Sequence, residues 1–181
     1  MKKIFLILIA IFLISGCTQQ QAIKEISIPG HGNTIYTFNN DIRDTLKMNV
    51  SEPEKIRSMF YSGKMSVVFD GSNNQENAYY KAILVDMGKI PTYLAFEGRL
   101  IKFQYYYFIG DEWHNETDEI IQKPNFTEPV LWLGVSNETE IEIKDNIVYL
   151  KGRDLSGLRI AGDRLALAVF GINKIEDIEK T

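Results

Sequence analysis

The amino-acid sequence predicts a single domain of the α+β or α/β class, a mixed β-sheet covered by two or three short helices, behind an N-terminal leader. Short runs rich in β-branched and aromatic residues recur along the chain, among them KMSVVF at 64–69 and IVYLK at 147–151. Between them lie segments with apolar residues at helical spacing, each with its own start and stop signals. No Pro-, Gly- or Ser-rich linker interrupts residues 34–172, so one globular domain over that range is the economical division, with 173–181 as a charged helical tail.

The leader comes first in the chain. Met1-Lys2-Lys3 precedes Ile4 to Ile14, 11 residues without a polar side chain, and Ser15-Gly16-Cys17 follows. A basic start, an apolar core and small residues before a cut site make a secretory signal over residues 1–16. As a helix, the apolar run would reach only about half the thickness of a bilayer core, too short for a stable span. The two lysines hold its start on the cytoplasmic side.

Ile14, Ser15, Gly16 and Cys17 resemble the lipobox of prokaryotic lipoproteins, an aliphatic residue and two small ones ahead of a cysteine. The resemblance implies that Cys17 receives a diacylglyceryl-type lipid on sulfur and becomes the first mature residue. An ordinary cleaved leader with an incidental cysteine, or an uncleaved helix, is the alternative. On the lipobox reading 17–33 is a lipidated tether, polar and Gln-rich where it begins. The protein then sits on the extracytoplasmic face of the cell membrane, held by membrane lipid through Cys17. Loss of Lys2 and Lys3 with the leader leaves 18 basic against 24 acidic side chains, a net −6. An acidic chain without basic clusters excludes nucleic acid as a partner class. Cys17 is the only cysteine, so its lipidation removes disulfides, thiolate zinc sites and cysteine nucleophiles from consideration.

The tether gives way to turn chemistry at Ile28-Pro29-Gly30-His31-Gly32-Asn33, and Thr34 to Phe38 alternates as a first strand. A helical turn is expected at 41–45 and a strand at 46–50. Ser51, Pro53 and Glu54 then open a helix, with Ser51 as N-cap, Glu54 completing a capping box, and Ile56, Met59 and Phe60 on one face. After the strand at 64–69 and a polar loop at 70–75, Tyr79, Ala82, Ile83 and Met87 mark a helix over 76–87 with Gly88 as its C-cap; a strand at 78–85 is the alternative. Residues 92–96 and 99–108 read as strands joined at Glu97-Gly98. Residues 109–128 read as a polar, acidic loop.

Residues 129–133 read as a strand, and 140–144 pairs with 147–151 across Asp145-Asn146, residues that tolerate positive φ. Asp154 or Ser156 caps a short helix ending at Arg164, and LALAVF at 165–170 reads as a buried last strand. Strand–helix–strand units at 64–96 and 147–170 would each lay a helix on the sheet. NNDIRDTLKMNVSEPEKIRSMF (39–60) and DLSGLRIAGDRLALAVFG (154–171) are similar to segments of uncharacterised archaeal surface lipoproteins. That similarity implies an envelope location and transfers no catalytic residue.

Four N-x-[ST] sequons, at Asn49, Asn115, Asn125 and Asn137, are roughly three times what random placement would give, and fit a glycosylated archaeal surface better than a bacterial periplasm. Asn49 ranks below the others because its hydroxyl residue is Ser51, the expected cap. Asp70, Ser72, Asn74 and Glu76 alternate like a calcium loop, but Lys81 stands where the twelfth-position acid belongs, so the stretch reads as a solvated turn. Asp111, Glu112, His114 and Glu116 cluster acids beside one of only two histidines, His31 being the other; a flexible glycosylated loop explains that composition. In FQYYYF at 103–108, strand alternation puts Phe103, Tyr105 and Tyr107 on one face and Tyr106 and Phe108 on the other. The first face reads as core, and Tyr106, Phe108 and Trp113 are the candidate binding face for a carbohydrate or another envelope protein.

Nucleophile elbows, phosphate-binding glycine loops and zinc-hydrolase motifs are absent, and neither a metal nor a cofactor is expected. The reading is therefore a membrane-anchored extracytoplasmic binding or envelope-structural module rather than an enzyme. The alternatives are a hydrolase using Asp/Glu and His114, or an accessory subunit of a transporter or envelope complex.

Overall fold

A computed structural model describes residues 21–71 and 74–178; the leader, Ile14, Ser15, Gly16, Cys17 and the first tether residues lie outside the described residues. The fold is an α+β domain. A seven-stranded mixed sheet carries a helix layer on one face, and a two-stranded antiparallel ribbon stands beside it.

The ribbon is β1 (Glu25–Ser27) and β2 (Ile35–Thr37), followed by α1 (Ile42–Thr45) and α2 (Pro53–Phe60). The sheet proper begins with β3 (Lys64–Asp70). After α3 (Asn74–Met87) and α4 (Lys89–Phe96) comes β4 (Lys102–Ile109), then β5 (Glu112–His114), β6 (Ile120–Ile121), β7 (Val130–Val135), β8 (Glu140–Lys144) and β9 (Ile147–Gly152). The long α5 (Leu155–Val169) and short α6 (Ile175–Ile178) close the chain. Spatial order is β6-β5-β4-β3-β7-β9-β8. The four central strands run parallel, and antiparallel hairpins flank them on both sides.

Register sorts the side chains into two faces. Toward the helices lie rows such as Tyr107–Phe69–Leu133–Leu150–Ile141. Toward the other face lie Tyr106–Val68–Trp132–Tyr149–Glu142 and Phe108–Asp70–Gly134–Lys151–Glu140. The main core fills the space between the first face and α2, α3 and α5. A smaller cluster around Val68, Trp113 and Val130 lies on the second face, with Phe126 of the β6–β7 connection packed against it.

Several expected elements change identity. Residues 92–96 are helical: Ile90, Tyr93 and Leu94 give α4 a buried side, and Arg99 N–H reaches back to the Leu94 carbonyl at 2.8 Å. Glu97-Gly98 is therefore a helix stop, with Gly98 at φ +70°, and not a hairpin turn. Gly88 does not end a lone helix but joins α3 to α4.

LALAVF at 165–170 continues α5 instead of forming a strand. A short, wholly apolar run carries no period, and here α5 is enclosed by β9, α2 and α3, so every residue from Ala161 to Val169 is buried. The expected unit at 147–170 is thus absent, and the one at 64–96 reaches its second strand only at β4, which pairs in parallel with β3. Residues 46–50 are turns following α1, stitched by Lys47 N–H to the Asp44 carbonyl and Met48 N–H to that of Thr45. Ser51 is not the N-cap of α2; Glu52 is, without a side-chain bond.

The expected loop 109–128 contains β5 and β6. Gly110 and Asp111 form a two-residue turn at φ 56° and 69°, the pairing a tight hairpin needs. Residues 25–33, placed in the tether by sequence, belong to the fold: β1 pairs with β2, and His31 between them is buried. No helix among the described residues is long and apolar enough to cross a membrane.

Candidate functional site

The helix layer stops short of the sheet's β6 side, and that sets the candidate site. Val67 and Phe69 of β3 are buried under α3 and α4, whereas the next strand's Phe103, Tyr105 and Tyr107 stay half-buried. The step between them is a cleft of about 400 Å³ lined by Phe69, Tyr80, Lys81, Leu84, Tyr105, Tyr107 and Glu116. Its aromatic rings form a platform. Phe69 lies 6.0 Å from Tyr105 with planes 11° apart and 4.9 Å from Tyr107. Tyr80, buried in α3, backs this floor and donates its hydroxyl to the Asp70 carbonyl.

A second cavity of about 210 Å³ adjoins the first and shares Leu84 and Tyr105 with it. It runs under the α3–α4 junction between Phe60, Val67, Met87, Ile90, Pro91 and Leu131, with no charged side chain in its wall. The two together grade from a mouth with one cation and one anion to an apolar interior.

Backbone pairing explains Glu116. β5 pairs with β4 only from Tyr107 to Ile109, so the Tyr105 amide lies beyond its reach, and Glu116 Oε1 accepts from it at 3.1 Å. Burial pushes the Tyr80, Tyr105 and Tyr107 phenols up, and the Glu116 carboxylate raises the last two further. All three hydroxyls accordingly stay protonated donors at neutral pH.

The other candidates fall elsewhere. Tyr106, Phe108 and Trp113 do come together, on the opposite face. Phe108 and Trp113 lie 5.1 Å apart, Trp113 packs edge-on to Trp132 at 5.8 Å, and Phe126 covers Tyr106 and Trp113 at 5.5 and 5.7 Å. Trp113 is only 8% exposed, so this cluster is also a second core under the β6–β7 connection. The face that sequence assigned to the core is the one that lines the cleft.

His114 sits at the end of β5 with Asp118 Oδ1 at 3.1 Å and Glu112 Oε2 at 4.0 Å, and it lines none of the cavities described. His31 is buried against Phe96, its ring nitrogens 2.6 Å from the Tyr36 hydroxyl and 3.2 Å from Glu97 Oε1; this fastens the β1–β2 loop to the end of α4. Asp70, Glu76 and Asp111 edge a hollow of about 330 Å³ at the carboxyl end of β3. Among the described residues no His, Cys, Asp or Glu group is arranged to hold a metal ion.

Of the sequon asparagines, Asn49, Asn125 and Asn137 are exposed. Asn115 is engaged: its amide donates to Glu119 Oε2 at 2.9 Å, and its oxygen accepts from Thr117 and Glu119 backbone N–H groups. Comparison with known proteins finds no matching family model, curated protein or solved structure.

Proposed function

We propose that this protein is a lipid-anchored, extracytoplasmic binding module that takes its ligand in the cleft between α3 and β4. The observation that carries the reading is the cleft itself, a concave, mainly aromatic and aliphatic site with a few polar groups at its mouth, the ordinary form of a small-molecule site. Binding chemistry suits its lining: phenols, an amine and a carboxylate can orient a ligand, while no nucleophile with an adjacent base lines it. The test is native mass spectrometry of the mature chain after incubation with a total envelope extract. A bound adduct is expected, and Leu84→Trp, which fills the shared wall of both cavities, should abolish it. An adduct of equal abundance in the variant would contradict the assignment.

Anchoring rests on the lipobox Ile14-Ser15-Gly16-Cys17, and the sequons support exposure to the outside. Membrane lipid through Cys17 is the proposed attachment, with no nucleic-acid role. Ser51 does not cap α2, so the ground for discounting Asn49 disappears; Asn49, Asn125 and Asn137 are the proposed glycan acceptors, and Asn115 ranks last because its amide is already bonded. Mass spectrometry of protein from the native host should find a chain beginning at a lipid-modified Cys17 and sugar on at least one of those three asparagines. A mature start elsewhere, or an unmodified cysteine, would refute the anchor.

A further inference from the structure

We infer that the cleft accepts a single-chain amphiphile with a neutral, hydroxylated head, its chain lying in the inner cavity and its head at the mouth beside Lys81, Glu116, Tyr105 and Tyr107. The inference rests on the proposed binding role and names the ligand's class. Lining asymmetry decides it. The inner cavity offers no side-chain donor or acceptor apart from the shared Tyr105, so each ligand hydroxyl buried there would lose its water hydrogen bonds without replacement. A free saccharide is therefore a poor occupant of that end, and an alkyl chain a good one.

The mouth has the opposite character. Among the described residues, the Tyr105 and Tyr107 hydroxyls and the Lys81 ammonium have no hydrogen-bond or ion-pair partner within the protein. Glu116 contributes a carboxylate with one oxygen already accepting from the Tyr105 amide. One positive and one negative group line the mouth around two phenols, and the Asp118 carboxylate lies near enough to act on Tyr107. A charged head would meet a like charge there, whereas a polyol can donate to Glu116 and accept from Lys81 and the phenols.

The test uses the full mature chain and n-hexyl, n-octyl and n-decyl β-D-glucosides, with glucose, decanoate and decyltrimethylammonium as comparators, all below their micelle thresholds and read by isothermal calorimetry. Expected are saturable one-to-one binding of the glucosides, about threefold to fourfold tightening per added methylene, roughly tenfold weaker binding of the two charged heads, and none of glucose. Leu84→Trp should abolish binding. The exposed Lys81→Glu should leave the melting temperature unchanged but turn the preference toward decyltrimethylammonium, and Glu116→Gln should turn it toward decanoate; loss of folding cannot produce these opposite changes. Binding only above the micelle threshold, or no chain-length dependence, would overturn the inference. Glucose binding that Leu84→Trp removes would also overturn it while leaving the binding role intact. An adduct from the envelope extract that Leu84→Trp does not affect would instead count against the binding role of this cleft.

Discussion

Asp41 condenses much of the residue-scale logic. Its carboxylate caps α1 by accepting from the Arg43 amide and also takes the Arg43 guanidinium at 2.6 Å. The Arg43 hydrogen bond holds the Asp41 carboxyl down to about 2. A depressed folded-state value means that Asp41 contributes stability above its unfolded value near 4, and that this contribution is lost as pH falls toward 2. Solvent screens the pair, so the cap and the ion pair together are worth about 1 kcal/mol. Asp41→Ala should therefore lower unfolding free energy by about 1 kcal/mol at pH 7 in urea titrations, and the gap from wild type should shrink as pH falls through 2. A gap unchanged at pH 2 would show that the charge has no part in it.

Local side-chain chemistry made some residues legible from sequence. Asp154 has the side chain of a cap and does accept from Gly157 N–H at 2.8 Å, and Asp145 takes the positive φ that its hairpin requires. Ser51 had the right type in the right place, yet the chain enters α2 through Glu52.

Between elements, a buried ion pair does the joining. Asp163 in α5 is fully enclosed and accepts from Lys89 at the start of α4 at 2.9 Å, from the Asn39 and Asn40 amides at 2.9 and 3.2 Å, and from the Asn40 side chain. Lys89 Nζ also sits 4.5 Å from the centre of the Phe38 ring. Lys89→Met would leave a buried carboxylate without its counter-charge, and should cost about 3 kcal/mol in chemical denaturation. A loss below 1 kcal/mol would mean that the backbone amides suffice. Sequence gave no sign of this pair, because Asp163 lies within a helical pattern that otherwise reads as core. β3 was readable from its β-branched, apolar centre, and β8 and β9 from their alternation about the Asp145-Asn146 turn. LALAVF and the residues of α4 were not, since a uniformly apolar stretch acquires its secondary structure from what surrounds it.

At the scale of the molecule, the proposed function rests on the uneven coverage of one sheet. Helices protect β3, β7 and β9 but leave the helix-side face of β4 half open; on its other face Phe126 packs against Tyr106, which is itself half-buried. The alternation in FQYYYF was visible, but which face would be covered was not, because coverage depends on where α3 and Phe126 land. The lipobox places this cleft, on the proposed reading, just outside a membrane whose components are within reach of a tethered domain. Chemical-shift mapping of the mature, isotope-labelled chain against envelope extract tests that account most directly. It predicts shifts concentrated on Leu84, Met87 and Ile90 methyls and on the Tyr105 and Tyr107 rings. Shifts confined to Val130, Trp132 and Ile147 on the opposite face, with those residues silent, would contradict it.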